Sequence, residues 1–352
     1  MRFIGCKTNL LDEINVVINS NCKNSKTFCD LFSGTGTVGL FFKKNYEIIS
    51  NDLLYFSYIL QKGSISINNQ ITFKKLYSNL EIDCDNSDLI DNVIEYLNNI
   101  NFKEYDGKKT ITNNYSPKGG RMYLTEENAL KIDCIRNLIE IWKENSVISE
   151  DEYYYLLSCL INAIPSYSNI SGTYGAYLKS WDKRALKEFK LEKKDIIINT
   201  KINKSYNLNG IELLEKISGD ILYLDPPYNS RQYLPNYHLL ETVAKYDEPV
   251  TTGVTGVRNY DKEKSNWCSK IKVYDEFETT LKKAKFKHII LSYSSDGIME
   301  EDKIVDIMRK YAENSEVKLK KVEYRRFRSR SVNEKRPVYE FIFYIKKKEI
   351  YE

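Results

Sequence analysis

The sequence predicts an α/β protein with a Rossmann-like, mostly parallel sheet and an inserted helical subdomain. Residues 28–32 are predicted to form a strand that leads into a glycine-rich turn, residues 33–39. Far downstream, the apolar residues 221–224 lead into a turn with two prolines, residues 225–228. A long stretch with helical periodicity separates the two strand–turn units. Strands and helices in this alternation are typical of a doubly wound sheet.

The amino-terminal part of the chain has the pattern of a βαβ unit. A helix is predicted over residues 10–18, before the first strand. Another helix, residues 38–44, follows the glycine turn. Residues 46–52 then form a second strand, which ends in the acid Asp52.

Three later strands complete the predicted sheet. Residues 221–224 and 288–293 have the apolar composition of buried parallel strands. Residues 338–345 alternate strongly and predict a closing strand, antiparallel to one that contains residues 322–327.

Two insertions interrupt this pattern. Amphipathic helices are predicted over residues 126–145 and 150–164, inside a segment too long for a crossover connection. We therefore expect residues 61–199 to form a mainly helical subdomain, inserted into a sheet domain made of residues 1–60 and 200–352. The second insertion is a long loop, residues 250–272, and long loops on a rigid α/β scaffold tend to carry function.

Composition excludes several classes of protein. Of 352 residues, 42% are hydrophobic and 29% are charged, and the net charge of +4 says little about partners. Seven scattered cysteines without a Cys-x-x-Cys pair and only two histidines predict neither a disulfide framework nor a metal site. The chain has no apolar signal core at its start and no apolar run of membrane-spanning length, so we expect a cytoplasmic protein.

The glycine turn suits an anionic, nucleotide-like ligand. A helix that begins after such a turn presents unpaired backbone N–H groups, and Gly34 and Gly36 permit close approach. With Gly39 the spacing also suggests a dinucleotide, and many α/β proteins with this pattern bind nothing. Asp52 could accept hydrogen bonds from ribose hydroxyls, or it could cap a helix.

The Asp225-Pro226-Pro227-Tyr228 turn offers acceptors for an amine. The Asp225 carboxylate and the Pro226 carbonyl could each accept one amine hydrogen, and both prolines stiffen the turn. Tyr228 offers an aromatic face to a planar base. The alternative is an ordinary rigid turn in which Tyr228 is only packing, but the glycine turn upstream favours the functional interpretation.

The two motifs, in this order, resemble the alpha group of adenine-specific DNA methyltransferases. Segments at residues 121–129, 172–179, 229–242 and 292–297 resemble the same family, so the similarity runs through most of the chain. The resemblance implies S-adenosylmethionine as methyl donor, S-adenosylhomocysteine as product and no metal. It makes the sheet domain a catalytic methyltransferase domain and the insertion a target-recognition subdomain.

The family's site residues carry over to matching positions. Asp225, Pro226, Pro227 and Tyr228 would hold an adenine that has flipped out of the duplex, because its amine is unreachable in a stacked helix. Asn209 stands where the family usually has an acid near the adenine ring of the cofactor. The residues that the resemblance assigns to the cofactor are Gly5, Lys7, Asp30, Phe32, Ser33, Gly34, Thr35, Gly36, Asp52, Asn209 and Asp225.

The DNA contacts that the resemblance implies lie in four segments. A basic run, residues 318–336, also suits a phosphate backbone, although a solvated surface hairpin would have the same composition. For each residue, a solvated or core position is the alternative. The candidates are Arg121, Tyr123, Tyr174, Tyr177 and Lys179 in the insertion, Arg231, Gln232, Tyr233 and Asn236 near the flipped base, Arg258 and Lys264 in the DNA-contacting loop, and Arg325, Arg326, Arg328 and Arg330 in the basic run.

The leading hypothesis is a monomeric, site-specific DNA adenine methyltransferase that acts on double-stranded DNA. It would be the modification partner of a restriction endonuclease that recognises the same site without forming a stable complex. Methylation of RNA or of a protein glutamine amide is a second hypothesis, but such enzymes typically have Asn in place of Asp225. A catalytically silent nucleic-acid-binding module is the third, and the intact Asp225 and Tyr228 argue against it.

Overall fold

The computed structural model describes residues 5–80, 89–324 and 338–348. The chain divides into two compact units, which we call the sheet unit and the helical unit. Within the described ranges, the sheet unit comprises residues 7–53, 201–232, 264–324 and 338–348, and the helical unit comprises residues 5–6, 54–80, 89–200 and 233–263.

The strands of the described residues fall into one large sheet and one small hairpin. Numbered along the chain, they are β1 (Thr27–Asp30), β2 (Glu47–Asn51), β3 (Lys204–Tyr206), β4 (Gly219–Leu224), β5 (Thr251–Thr252), β6 (Val257–Arg258), β7 (Phe286–Ser294), β8 (Lys318–Tyr324) and β9 (Val338–Lys346). The sheet of the sheet unit has the order β3-β2-β1-β4-β7-β9-β8, and β5 pairs with β6 in the helical unit.

The large sheet is mostly parallel, as predicted. The strands β3, β2, β1, β4 and β7 run parallel to their neighbours, whereas β9 is antiparallel to both β7 and β8. The predicted antiparallel closure of the sheet is therefore confirmed. The chain leaves β1 to one side for β2 and returns on the other side as β4, so the strand order reverses between β1 and β4.

The α-helices of the described residues divide between the two units. They are α1 (Leu11–Asn21), α2 (Thr37–Phe42), α3 (Tyr55–Lys62), α4 (Lys74–Leu80), α5 (Leu89–Asn98), α6 (Thr110–Tyr115), α7 (Glu126–Glu144), α8 (Glu150–Ala163), α9 (Gly210–Leu214), α10 (Leu234–Lys245), α11 (Val273–Lys283) and α12 (Glu301–Tyr311). Helices α1, α2, α9, α11 and α12 belong to the sheet unit and the others to the helical unit. None of the helices within the described ranges is long and apolar enough to span a membrane.

Helices cover both faces of the large sheet. Successive residues of a strand point to opposite faces, and β1 shows the consequence. Cys29 packs in one apolar cluster with residues of α9, α11 and α12. Phe28 faces the other way and stacks on Phe42 of α2, with ring centroids 4.8 Å apart. Burial on both faces explains why these strands are apolar throughout.

The helical unit has its own apolar core, built mainly from α3, α7, α8 and α10. Local sequence signals fix where its two longest helices begin. The Thr125 hydroxyl caps α7 by accepting from the Asn128 N–H, and Ser149 and Glu152 form a reciprocal capping box at the start of α8.

The boundaries of the helical unit differ from the predicted insertion, residues 61–199. Residues 54–60 and 233–263, which we expected in the catalytic domain, group with the helical unit instead. The physical reason is that α10 buries Leu234, Tyr237 and Leu240 in the core that it shares with α3 and α8. The predicted loop at residues 250–272 is likewise divided, because its first part forms the β5–β6 hairpin of the helical unit.

Candidate active site

The two sequence motifs lie at one edge of the large sheet. Strands β1 and β4 are parallel neighbours, with Asp30 opposite Tyr223, and the Leu31 N–H donates to the Tyr223 carbonyl at 3.1 Å. The glycine turn follows β1 and Asp225 follows β4, so both extend from the carboxyl ends of adjacent strands. Ligands of doubly wound sheets bind at such an edge, where the strand order reverses.

The glycine turn requires glycine at two positions. Gly34 and Gly36 have φ angles of +52° and +81°, which side chains with a Cβ rarely adopt. The turn is tied to β2, because the Ser33 N–H donates to the Asn51 carbonyl at 2.9 Å. Beside it, the hydroxyls of Thr35 and Thr37 are 2.9 Å apart.

Asp52 belongs to this turn. Its Oδ2 accepts a hydrogen bond from the Gly34 N–H at 2.8 Å. The alternative of a helix cap is not observed, since α3 begins with Leu54 in the cap position and no side-chain cap there. The carboxylate at the end of β2 therefore shapes the turn and is half-buried beside it.

Asp30 lies under the turn rather than at its surface. Its side chain is 1% exposed, and its Oδ2 accepts a hydrogen bond from the Ser33 hydroxyl at 2.9 Å. Its other oxygen, Oδ1, has no hydrogen-bond partner among the residues that the structure describes. Burial raises the pKa of Asp30 to about 7, although the bond from Ser33 opposes the shift.

Asp225 forms a buried ion pair with Lys7. The Lys7 Nζ lies 2.8 Å from Asp225 Oδ1, and the two side chains are 5% and 18% exposed. Burial raises the pKa of Asp225, and the neighbouring Lys7 ammonium opposes that shift. Burial alone would lower the pKa of Lys7, but the charges of Asp225 and Glu340 raise it and keep the ammonium protonated.

Glu340 is a residue of this site that sequence reasoning missed. Its Oε2 lies 3.9 Å from Lys7 Nζ, and the residue is 8% exposed inside β9. The signal was present in the sequence, because an acid at an inward position of an otherwise apolar strand is unusual. Its meaning depended on knowing which strand lies beside it.

The rest of the Asp-Pro-Pro-Tyr turn is fixed from the loop that follows β7. The Tyr228 carbonyl accepts from the Ile298 N–H at 2.9 Å, and the Tyr228 ring lies partly buried against the apolar cluster of the sheet unit. Pro226 is buried and Pro227 is half-buried. Phe32, from the glycine turn, meets Trp267 edge to face with ring centroids 5.3 Å apart.

The remaining predicted cofactor residues lie on loops. Asn209 caps α9, since its side-chain oxygen accepts from the Ile211 N–H at 2.9 Å, and the residue is exposed. Asn207 donates to the carbonyls of Asp52 and Leu53, at 2.8 and 3.0 Å, and so ties this loop to the end of β2. Gly5 has a φ of +77° and belongs to the helical unit.

Two of the predicted DNA contacts are core residues. Tyr123 is fully buried, and its hydroxyl donates to the Tyr174 carbonyl at 2.7 Å and lies 3.0 Å from the Thr255 carbonyl. Tyr174 is 1% exposed, and its hydroxyl lies 3.0 Å from the Ser168 hydroxyl. The structure thus corrects the expectation that they touch DNA, because a tyrosine in a polar segment can be buried when its hydroxyl finds partners.

Arg258 is also buried, at 6% exposed. Its two terminal nitrogens donate to the two oxygens of Asp247 at 2.8 and 2.5 Å, a bidentate pair. A phosphate contact by this residue was expected, and the structure contradicts it, because the guanidinium is already occupied inside the unit.

Arg121 holds the β5–β6 hairpin. Its guanidinium donates to the carbonyls of Val254 at 3.1 Å, Gly253 at 3.0 Å and Asn114 at 3.0 Å. A Cβ at Gly256 would lie 2.6 Å from the Arg121 Nε, so the turn packs directly on this side chain. The tip is exposed, and Val254 is 78% exposed.

The other predicted DNA contacts are accessible to different extents. Gln232 is the most constrained, since its amide exchanges two hydrogen bonds with the backbone of Ser265, at 2.9 and 3.1 Å. In the sheet unit Arg231 and Lys264 are exposed, and in the helical unit Lys179 is exposed whereas Tyr177, Tyr233 and Asn236 are half-buried.

The basic run is described only in part. Arg325, Arg326, Arg328 and Arg330 lie outside the described residues. Lys318, Lys320 and Lys321 on β8 each form an ion pair, with Glu316, Glu13 and Glu301 respectively. Among the described residues, no group of three or more His, Cys, Asp or Glu side chains is placed to hold a metal ion.

A glycine turn and an Asp-Pro-Pro-Tyr turn thus extend from adjacent parallel strands of one sheet. The chain belongs to the D12 class of N6 adenine-specific DNA methyltransferases, whose family model matches residues 3–307.

Three relatives extend this similarity to almost the whole chain. Type II methyltransferase M.FokI from Planomicrobium okeanokoites is 48% identical over 350 residues, which cover 99% of this chain and 53% of that protein. Modification methylase StsI from Streptococcus sanguinis is 40% identical over 99% of this chain and 52% of its own length. Type II methyltransferase M.NlaIII from Neisseria lactamica is 37% identical over 94% of this chain and 93% of its own length. The chain thus spans about half the length of the first two relatives and nearly all of the third.

Proposed function

We propose that the chain is a site-specific DNA methyltransferase that transfers a methyl group from S-adenosylmethionine to the N6 amine of an adenine in double-stranded DNA. The observation that carries the proposal is the placement of the glycine turn and Asp225 at the carboxyl ends of adjacent strands. The family membership supports the same chemistry.

The residues at this edge fit the proposed cofactor. The glycine turn allows a close backbone approach, and the half-buried Asp52 beside it is a carboxylate in the place where acids accept ribose hydroxyls. The buried Asp30 keeps one oxygen without a hydrogen bond in the described part of the chain. We assign Lys7, Phe32, Ser33, Gly34, Thr35, Gly36 and Asn209 to the same role. When bound, S-adenosylmethionine supplies an electrophilic methyl group on a sulfonium.

Asp225 and Pro226 would activate the adenine amine, which is a poor nucleophile because its lone pair is delocalised into the ring. The Asp225 carboxylate accepts one amine hydrogen and the Pro226 carbonyl the other, which draws the nitrogen towards tetrahedral geometry. Just after the transfer the methylated nitrogen is cationic and must lose a proton. The Asp225 carboxylate, which accepts a hydrogen bond from it, is the base that takes this proton. Stacking on Tyr228 would offset part of the cost of flipping the base.

DNA binding would fall to the accessible candidates in each unit. Lys179 in the helical unit and Arg231 and Lys264 in the sheet unit are exposed cations suited to phosphate contacts. Tyr177, Tyr233 and Asn236 are half-buried candidates for base contacts. Arg121 would act through the hairpin that it holds, by presenting the exposed tip at Val254.

We further propose that the enzyme is the modification component of a restriction-modification system and acts as a monomer in the cytoplasm. Its relatives, which are two type II methyltransferases and a modification methylase, support this setting. A cognate endonuclease would recognise the same site without forming a stable complex. A monomer suits an enzyme that modifies each strand separately.

Methyl transfer from labelled S-adenosylmethionine to unmethylated DNA tests the proposal, with single-molecule sequencing to map the modified bases. We expect N6-methyladenine at one short motif with the wild type and none with Asp225→Ala. Asp302→Ala, which alters an exposed acid on α12, is the matched control and should methylate the same motif. Cofactor binding without transfer to DNA would refute the proposal and direct the search to RNA or protein amides.

A further inference from the structure

The sheet topology brings Glu340 to the same edge as Asp225. Strand β9 is antiparallel to β7, and Glu340 pairs with Ser294, the last residue of β7. The beginning of β9 therefore lies at the carboxyl edge of the parallel strands, where Asp225 follows β4. Two acids that are 115 positions apart in the sequence numbering meet at one lysine, Lys7.

Lys7 is hydrogen-bonded to only one of the two acids. Its Nζ lies 2.8 Å from Asp225 Oδ1 but 3.9 Å from Glu340 Oε2. That Glu340 oxygen is buried and has no hydrogen-bond partner among the described residues. We call Lys7, Asp225 and Glu340 the charge cluster.

The charge cluster is not balanced within itself. Two carboxylates and one ammonium carry one net negative charge when all three are ionised. The pair of Lys7 and Asp225 would be neutral alone, and a second buried carboxylate costs free energy unless something compensates it. A cation bound beside the cluster would compensate it.

We propose that Glu340 is a positioning residue that holds the Lys7 ammonium against Asp225 and leaves the charge cluster one net negative charge, which favours a cationic ligand. The proposal rests on the proposed function, in which the methyl donor is a sulfonium cation and the adenine nitrogen is cationic just after transfer. A fixed negative charge in a site of low dielectric stabilises both states. The neutral product cofactor gains nothing from it.

Calorimetric binding of three ligands to the full chain tests this charge preference. S-adenosylmethionine carries the sulfonium, sinefungin carries an ammonium in its place, and S-adenosylhomocysteine is a neutral thioether. Glu340→Gln should weaken the two cationic ligands by about 5- to 10-fold and the thioether by less than about 2-fold. Glu323→Gln, on the exposed side of β8, should change none of the three affinities. An equal loss for all three ligands, or no loss, would overturn the proposal.

A second pair of variants distinguishes an effect of net charge on ligand preference from a loss of folded protein. Lys7→Met leaves two negative charges and should raise the preference for S-adenosylmethionine over S-adenosylhomocysteine. Lys7→Met with Glu340→Gln again has one net negative charge, so its preference should return towards that of the wild type. Melting curves establish which variants are folded, and the double variant supplies the test even if Glu340→Gln alone does not fold. A double variant whose preference stays at that of Lys7→Met, or falls well below that of the wild type, would contradict the proposal.

The outcomes distinguish this inference from the proposed function. If the wild type methylates adenine in DNA but the ligand preference does not follow net charge, only the inference fails. If the preference follows net charge but no DNA is methylated, the proposed substrate fails and the charge cluster stands.

Discussion

Buried carboxylates in the two units differ in how many hydrogen-bond donors surround them. In the helical unit Asp133 accepts from the backbone N–H groups of Ile111 and Thr112 at 2.9 and 2.8 Å, from the Thr112 hydroxyl and from the Tyr246 hydroxyl. Glu241 accepts from the N–H groups of Tyr55 and Phe56, at 3.1 and 2.9 Å. These two acids are saturated with donors and secure the starts of α6 and α3.

At the carboxyl edge of the sheet unit, two buried carboxylates are not saturated with donors. Asp30 and Glu340 each keep one buried oxygen without a hydrogen bond to any described residue. Buried polar groups are rarely left unpaired, because the lost hydrogen bonds to water are not replaced. Saturated carboxylates therefore stabilise this fold. The unsaturated carboxylates lower its stability and are retained where a ligand would bind.

The difference depends on the edge of the sheet and not on the unit. Asp220 is also in the sheet unit, but near the amino end of β4. Its Oδ2 accepts from the N–H groups of Lys26 and Thr27 at 2.8 and 3.1 Å, and its Oδ1 accepts from Lys287 Nζ at 2.8 Å. It therefore behaves like the acids of the helical unit.

The largest effect on stability is expected from Glu241→Ala. The variant leaves two buried N–H groups at the start of α3 without an acceptor and removes a partner of Lys245. We expect the free energy of unfolding to fall by about 3–4 kcal/mol in chemical denaturation. Glu144→Ala, at an exposed position at the end of α7, is the control and should change it by less than about 0.5 kcal/mol. A loss below about 1 kcal/mol for Glu241→Ala would contradict the claim that saturated carboxylates stabilise the fold.

Asp30→Asn should stabilise the ligand-free protein. The pKa of Asp30 is raised to about 7 by burial, so its contribution to stability is fully present below its ordinary pKa and is lost as the pH rises through 7. The amide does not ionise, and we expect a gain of about 1–3 kcal/mol at pH 8 that shrinks towards pH 5. Denaturation curves at both pH values measure it. The same gain at both would show that ionisation is not the cause.

Asp220→Asn should lower the free energy of unfolding, and by less than Asp30→Asn raises it. Burial alone would raise the pKa of Asp220, but hydrogen bonds from Lys287, Lys26 and Thr27 lower it to about 2. Because its pKa is depressed, Asp220 stabilises the folded protein at pH values above the ordinary pKa of an aspartate. This stabilisation is lost as the pH falls through 2. We expect a cost of about 1–2 kcal/mol at pH 7 and less at pH 3. A cost that does not depend on pH would contradict the assigned cause.

Arg121→Gln tests whether Arg121, whose guanidinium donates to backbone carbonyls, holds the hairpin instead of contacting DNA phosphate. Because Arg121 holds the hairpin through carbonyl groups, we expect DNA binding to weaken by about 3- to 10-fold with the same dependence on salt. Lys179→Gln removes an exposed cation, and its salt slope should fall by about 1. Fluorescence anisotropy at four salt concentrations measures both slopes. A reduced slope for Arg121→Gln would mean that it contacts phosphate.

The fold was largely predictable because its signals are local. Apolar runs with a glycine turn or a proline turn at their ends predicted β1 and β4, and strong alternation predicted β9 and its antiparallel pairing. The membership of α10 was not predictable, since it follows the Asp225 turn in sequence and joins the helical core through Leu234 and Tyr237. Apolar periodicity shows that a helix is buried but not in which core.

The site was predictable only where a motif encodes it. The motifs predicted both turns at strand ends, and the structure places those strands side by side, whereas Glu340 depends on the pairing of β9 with β7. Tyr123, Tyr174 and Arg258 were expected to contact DNA because the family resemblance assigns that role to the insertion and the loop that contain them. Their burial is set by long-range partners such as Asp247, which sequence spacing does not reveal.

The most direct test of the comparison measures unfolding and methyl transfer together for two matched amide variants, Asp225→Asn and Asp133→Asn. We predict that Asp225→Asn lowers the transfer rate by about 100-fold or more and leaves the free energy of unfolding within about 1 kcal/mol. Asp133→Asn should lower that free energy by about 2–3 kcal/mol and leave transfer per folded molecule within about 3-fold. If either variant lost both properties together, the carboxylates at the sheet edge and the saturated carboxylates of the helical unit would not have separate roles.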